Sequence, residues 1–308
     1  MFTAKRGRLA LVGAVAIGAM VALAGCSSSD PLKSGSDATA SGDTIVIGSQ
    51  QYYSNEIVAE AYAQALENAG FKVDRQFNIG QRNVYLPELE KGTIDVMADY
   101  SGSLLQYYDA KTTAKSEDDI VAALPDALPD GLRVLKAAEA TDQDTYTVTK
   151  KFSEDNSITS LADLKDYSGK LVVGANAEFQ TRPYGITGLK LVYGATATLK
   201  TISDSGGANT VAALKNGQVQ LADIYSASPA IKANDFVSLE DPENMILPQH
   251  VIPVVDDKVD SKAAGIIEDV NAKLTQATLI DLNTTSVDDK SSAAVIAKKF
   301  LSDSGLVK

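Results

Sequence analysis

Tryptophan is absent from this 308-residue chain, and cysteine and histidine occur once each, as Cys26 and His250. A single cysteine excludes an internal disulfide. A single histidine excludes a His-pair metal site, and no Gly-x-Ser-x-Gly elbow is present, so neither a metal, a cofactor nor an enzymatic activity is expected. His250 itself reads as a structural or hinge-proximal residue. Cations are in deficit, 28 Lys and Arg against 40 Asp and Glu, for a net charge of -12. That balance argues against nucleic acid as a partner and against an electrostatic hold on anionic lipid. With 12 Tyr to 7 Phe, any aromatic recognition surface must be built mainly from tyrosine.

The first residues carry Lys5, Arg6 and Arg8, then an apolar run from Leu9 to Leu23, then Ala24-Gly25-Cys26. This is the pattern of a secretory signal peptide, and the apolar run is short for a membrane span. Leu23-Ala24-Gly25-Cys26 matches a lipobox, so residues 1–25 are expected to be removed and Cys26 to carry lipid. The competing reading is a single-pass anchor with a free thiol. Two acyl chains on one cysteine suffice for stable anchoring without a transmembrane helix, which places the protein on the extracytoplasmic face of the cell membrane. Loss of three cations with the leader takes the charge from -12 to -15. Residues 26–43, mostly Ser, Gly, Asp, Ala and Thr, read as a flexible linker.

Two stretches organise the rest of the chain. Gly92-Thr-Ile-Asp-Val-Met-Ala-Asp-Tyr100-Ser-Gly-Ser103 and Gly217-Gln-Val-Gln-Leu-Ala-Asp-Ile-Tyr225-Ser-Ala-Ser228 are apolar strands running into Tyr-Ser-x-Ser. A helical run precedes each, Asn83 to Lys91 and Asn209 to Asn216, with Asn expected as N-cap and Gly92 or Gly217 as the stop. In open α/β sheets the carboxyl end of a strand faces the ligand crevice, so Tyr100 and Tyr225 are candidates to face one cleft from two similar lobes.

Strands alternate with helices along the chain, which predicts an α/β protein with a largely parallel sheet in each lobe. Thr44 to Ser49 predicts a strand and Asn55 to Ala69 a helix; Tyr146-Thr-Val-Thr149 and Val251-Ile-Pro-Val-Val255 predict the crossovers between lobes. Lobe I is then 44–145 with 251–308, and lobe II 146–250. Ser160-Leu-Ala-Asp163 has capping-box spacing. Two amphipathic helices, about Lys262 to Ile280 and Asp288 to Ser302, are expected to close the chain.

Ile47-Gly48-Ser49, Glu60, Tyr62, Gly92-x-Ile94-Asp95, Tyr100-Ser-Gly-Ser103, Glu178-Phe179-x-x-Arg182-Pro183-x-Gly185 and Asp204-Ser-Gly-Gly207 together resemble the substrate-binding proteins of bacterial osmoprotectant ABC importers. The resemblance implies a two-lobed periplasmic-binding fold of type II. It also implies a quaternary ammonium ligand such as glycine betaine, choline or proline betaine, held among aromatic rings, and delivery to ABC permease subunits by a monomeric receptor. Ring faces suit a trimethylammonium group, which has a diffuse charge and no proton to donate. By the same resemblance Tyr100, Tyr146 and Tyr225 match box tyrosines and Asp144 lies beside them. Ser103 and Arg182 match the residues that hold the ligand carboxylate. Read from its own segment alone, Tyr146 is equally a core strand residue. Gln50 stands where many members carry Lys, and Gln249 where a fourth tyrosine is expected; Tyr52, Tyr53 or Tyr184 remain open as substitute rings. Other readings are a receptor for a different polar or cationic solute, or a structural envelope lipoprotein.

Overall fold

The computed structural model describes residues 44–307, so the leader, Cys26 and the linker lie outside the described residues. The chain first builds β1 (Thr44–Gln50), α1 (Tyr53–Asn68), β2 (Lys72–Gly80), α2 (Arg82–Glu90), β3 (Val96–Tyr100), α3 (Ser101–Tyr108), α4 (Glu117–Ala127) and β4 (Leu132–Val134). It then crosses to β5 (Tyr146–Thr149), α5 (Lys150–Asn156), a 3-10 helix at Leu161–Asp166, β6 (Leu171–Ala175) and a second 3-10 helix at Ala177–Gln180. After these come α6 (Ile186–Tyr193), β7 (Ala197–Thr201), α7 (Ala208–Lys215), β8 (Leu221–Asp223), α8 (Pro229–Ala233) and β9 (Phe236–Ser238). The chain returns through β10 (Val251–Asp256) and ends in α9 (Ser261–Asn271), α10 (Gln276–Asp288) and α11 (Ala293–Asp303).

Two five-stranded sheets result, ordered β2-β1-β3-β10-β4 and β7-β6-β8-β5-β9. Both are mixed, which corrects the expectation of largely parallel sheets. β1 pairs in parallel with β2 and β3, and β6 with β7 and β8, but β10 runs antiparallel between β3 and β4, and β5 antiparallel between β8 and β9. The reason is connectivity. The strands that enter from the other sheet arrive from the opposite end, without the helical crossover that parallel neighbours need.

β3 and β10 are buried along their whole length, as continuous apolar runs at a sheet centre should be. α1 packs over the first sheet through Ile57, Val58, Ala61, Tyr62, Ala65 and Leu66, each buried. Full burial of the Ile57, Val58 and Leu66 side chains contributes about 1.5–3 kcal/mol each. The Tyr62 hydroxyl donates to Asn271 Oδ1 at 2.5 Å, and Asn271 Nδ2 donates to the carbonyls of Lys136 and Val251, which ties α9 to α1 and to the returning strand.

Local chemistry departs from the sequence reading at several ends. The residues before α2 and α7 are Gln81 and Gly207, not the expected asparagines; Asp204 caps α7 by accepting from the Asn209 N–H at 2.6 Å. Gly92 and Gly217 do stop the preceding helices, both at φ 66°, in the left-handed region. The Ser160/Asp163 capping box is present, but it opens a 3-10 helix. The closing segment holds three helices and not two, because the chain breaks at Ala272 to Thr275 and Thr275 caps α10.

The two crossing segments pair with each other. Thr141 bridges His250, the Val251 N–H donates to the Ala140 carbonyl at 3.0 Å, and the Asp142 N–H donates to the Gln249 carbonyl at 3.2 Å. A short antiparallel ribbon therefore joins the lobes, and it carries Asp142, Asp144 and Gln249 to one place.

Candidate ligand cleft

β1 and β3 are parallel neighbours, so their carboxyl ends, Gln50 and Tyr100, lie side by side. β6 and β8 are parallel neighbours in the second sheet, and the segments leaving them carry Arg182, Tyr184 and Tyr225. β8 ends at Asp223, so Tyr225 stands two residues beyond its strand, where the sequence pattern put it at the strand end. One cavity is walled by Gln50, Tyr52, Gln81, Arg82, Tyr100, Asp142, Asp144, Arg182, Tyr184, Tyr225 and Gln249. Six of the eight ligand-site residues named from the sequence are among them: Tyr100, Tyr225, Arg182, Asp144, Gln50 and Gln249.

Ser103 and Tyr146 are not on that wall. The Ser103 hydroxyl lies 3.3 Å from the Tyr184 hydroxyl, and the Tyr146 hydroxyl donates to the Tyr184 carbonyl at 2.8 Å while its ring meets Phe179 edge-on. Both therefore support Tyr184 from behind. Gly102 in the same motif has a steric reason: a Cβ there would lie 2.4 Å from the Pro248 carbonyl oxygen. Ala227, its counterpart in the second copy, is buried.

The rings form a compact group. Tyr52 stacks on Tyr100 with centroids 6.4 Å apart and meets Tyr225 edge-on at 5.1 Å, and the Tyr52 hydroxyl bonds to that of Tyr100. Of the three tyrosines left open as substitute rings, Tyr52 and Tyr184 reach the cavity, and Tyr53 does not line it. The free volume is about 20 Å3, room for about one water. A cation binds within about 6 Å of each ring centroid. Rings as close as Tyr52 and Tyr225 must therefore part before a trimethylammonium group can sit between them. Besides the Tyr52–Tyr225 contact, Ser103 with Tyr184 and Gln81 Nε2 with Ser205 Oγ at 3.3 Å are among the contacts that bridge the lobes at this point.

The two arginines differ. Arg82 is buried and sends Nε and Nη2 to Asp99 Oδ1 at 2.9 and 2.6 Å, while Asp99 Oδ2 accepts from the Tyr85 hydroxyl at 2.6 Å. Burial opposes the Arg82 charge, and the Asp99 carboxylate more than offsets it, so its pKa stands above the ordinary value. Arg182 is half-buried, and among the described residues no carboxylate comes within salt-bridge distance of it. Burial opposes its charge too, and Tyr184 and Asp144 more than offset that despite repulsion from Arg82. A guanidinium in this setting is a ready partner for a ligand carboxylate.

Sequence reasoning missed Arg82, Gln81 and Asp142 as wall residues. The available signal for Arg82 was Asp99, an acid inside an apolar strand, since a buried carboxylate requires a partner. Gln50 Nε2 donates to the Tyr85 hydroxyl at 3.3 Å, so it belongs to this same network. Gln249 Nε2 is buried with no hydrogen-bond partner among the described residues.

Two mixed α/β lobes joined by two crossing segments, with a polar and aromatic cleft between them, define the two-lobed architecture of the periplasmic-binding type. The chain belongs to the OpuAC family, the substrate binding domain of ABC-type glycine betaine transport systems, which matches residues 43–303. It is similar to the glycine betaine-binding protein YehZ of Escherichia coli (strain K12), at 24% identity over 280 residues, covering 86% of this chain and 92% of that protein. Its fold is similar to that of a glycine betaine/carnitine/choline ABC transporter protein (TM-score 0.68, 18% identity, 85% of this chain and 99% of the other). It is also similar to lactococcal OpuAC complexed with glycine betaine (TM-score 0.59, 13% identity, 85% and 96%). No helix among the described residues is long and apolar enough to cross a membrane.

Proposed function

We propose that this protein captures a quaternary ammonium solute, glycine betaine, choline or a close relative, and hands it to an ABC permease. The observation that carries this reading is one cavity that joins Tyr52, Tyr100 and Tyr225 to Arg182, a guanidinium that Asp144 faces but that has no carboxylate within salt-bridge distance among the described residues. Rings receive the cationic head, and Arg182 receives a carboxylate where the ligand has one. Tyr184, backed by Ser103 and Tyr146, lies between these functions, and Asp144 faces both Arg182 and Tyr184. Gln50 and Gln249 replace a charge and a ring, which makes the cleft less selective for a carboxylate tail. No catalytic role is assigned to any of these residues. The lobes in this reading are 44–145 with 251–308, and 146–250, and they close around the ligand.

A thermal-shift screen across glycine betaine, choline, carnitine and proline betaine tests the ligand class. Stabilisation by none of them, with stabilisation by amino acids or sugars, would replace this reading with the second one, a receptor for another polar solute. The rings have their own test. Phe keeps the ring face and loses the hydroxyl, so Tyr225→Phe costs under about 1 kcal/mol of affinity, and Tyr225→Ala about 2 kcal/mol or more. Calorimetry with choline reads both variants. Equal losses would make the hydroxyl the binding group and end the cation–π account.

Anchoring is proposed through Cys26, the only thiol in the chain. Cys26→Ser is expected to move the protein from the membrane fraction to the soluble fraction. Retention through a carbonate wash would count against lipidation.

A further inference from the structure

Asp142 has a place in the cleft to which the proposed function gives no role. It is buried on the cavity wall, and its Oδ1 accepts from the Ala227 N–H at 3.1 Å. Its Oδ2 is buried and makes no hydrogen bond of ordinary geometry among the described residues, and the Ser54 hydroxyl is the one side-chain donor that acts on the carboxyl. The groups that face it are Tyr52, Tyr53 and Ser54 at the start of α1, Tyr100 at the end of β3, and Asp144 on its own segment. His250, on the paired segment, turns its ring to the Ala138 carbonyl and toward Glu117. Among the described residues no cation lies within salt-bridge distance of Asp142.

We infer that Asp142 is the counter-ion of the bound cation: a quaternary ammonium group among the tyrosines draws this carboxyl into its ionised form, and the proton goes to solvent. This rests on the reading of the cleft as a quaternary ammonium site. The chemistry fits because such a cation has no N–H to offer and interacts through charge alone. A buried carboxylate with few donors and no cation beside it is costly by itself and is compensated by a charge beside it. Burial pushes the Asp142 carboxyl up to about 7, with Asp144 adding to the rise and Ser54 and the Ala227 N–H opposing it. An acid whose pKa is raised in the free protein and lowered by a bound cation binds that cation better as pH rises through the free-state value.

Calorimetry at pH 6 and pH 8 with choline and with its uncharged isostere 3,3-dimethyl-1-butanol tests this. Between those pH values the ionised fraction rises about tenfold, so choline affinity is expected to rise up to about tenfold while the isostere stays flat. At pH 7, titration in buffers of different ionisation enthalpy should show about half a proton released per choline bound. Both readouts use the unaltered protein. Asp142→Asn should abolish the pH slope and the proton release, and at pH 8 lower choline affinity by more than it changes affinity for the isostere. It should also raise the unfolding midpoint of the ligand-free protein at pH 8, where an ionised Asp142 is least favourable. Choline binding with a flat pH profile and no proton release would overturn the role of Asp142 while leaving the cleft reading intact. So would a slope that survives in Asp142→Asn, which would place the titrating group elsewhere in the cleft. Failure of choline and glycine betaine to bind at any pH would overturn both.

Discussion

Arg182→Ala is expected to weaken glycine betaine binding by roughly a hundredfold and to change choline binding by less than about threefold. Truncating one partner of a desolvated, hydrogen-bonded charge pair costs about 2–5 kcal/mol, and each 1.4 kcal/mol is about a factor of ten. The effect falls on glycine betaine because only that ligand brings a carboxylate to the guanidinium. Choline brings a hydroxyl at the corresponding end and, as a net cation, loses nothing when one of two positive charges on the wall is removed. Arg182→Lys should fall between, since an ammonium keeps the charge and loses the planar fork. Calorimetry with both ligands decides the matter. Equal losses would mean that Arg182 holds the segment between the 3-10 helix Ala177–Gln180 and α6 in place and touches no ligand.

Asp99→Ala is expected to be the most destabilising single change in the cleft. It leaves the Arg82 guanidinium buried without its carboxylate, and also removes the acceptor for the Tyr85 hydroxyl and for the Tyr100 N–H at 2.6 Å. Breaking a buried pair by deleting one partner costs about 3–5 kcal/mol, which lowers the midpoint of a domain this size by roughly 10 °C. Exchanging both partners for apolar groups, Arg82→Met with Asp99→Leu, should recover the part of that loss due to the unpaired guanidinium, since a desolvated charge pair and an apolar pair of similar volume differ little, and leave the part due to the Tyr85 hydroxyl and the Tyr100 N–H. Chemical denaturation of the single and double variants reads the difference. A loss under about 1 kcal/mol in Asp99→Ala would show that water reaches Arg82 in solution.

Several features of this protein follow from short stretches of sequence. The α/β alternation is a local signal, and so are the two Gly-to-Tyr strands that set Tyr100 and Tyr225 near the cavity; the proposed leader and lipobox rest on a local pattern alone. Arg182 was legible only through its resemblance context, Glu178-Phe179-x-x-Arg182-Pro183, since a lone arginine has no periodicity. Helix stops at Gly92 and Gly217 were legible because a left-handed residue is a property of one position.

What only the tertiary structure decided is which distant groups share one space. Strand direction is one case: Val251 to Val255 reads as a buried strand in either sense, and its antiparallel place between β3 and β4 depends on the crossing route through the other lobe. Arg82 and Asp99 are 17 residues apart on a helix and a strand, so no local pattern pairs them. Tyr146 and Asp142 fall on the same polar-to-apolar stretch, yet one turns into the second core and the other to the cavity. The reason is that residue 142 lies in the ribbon between the lobes while Tyr146 has already entered β5. Sequence periodicity reports the face a residue presents within its own element. The cleft is made by the ends of elements, where periodicity stops and the packing of the two sheets alone determines what meets.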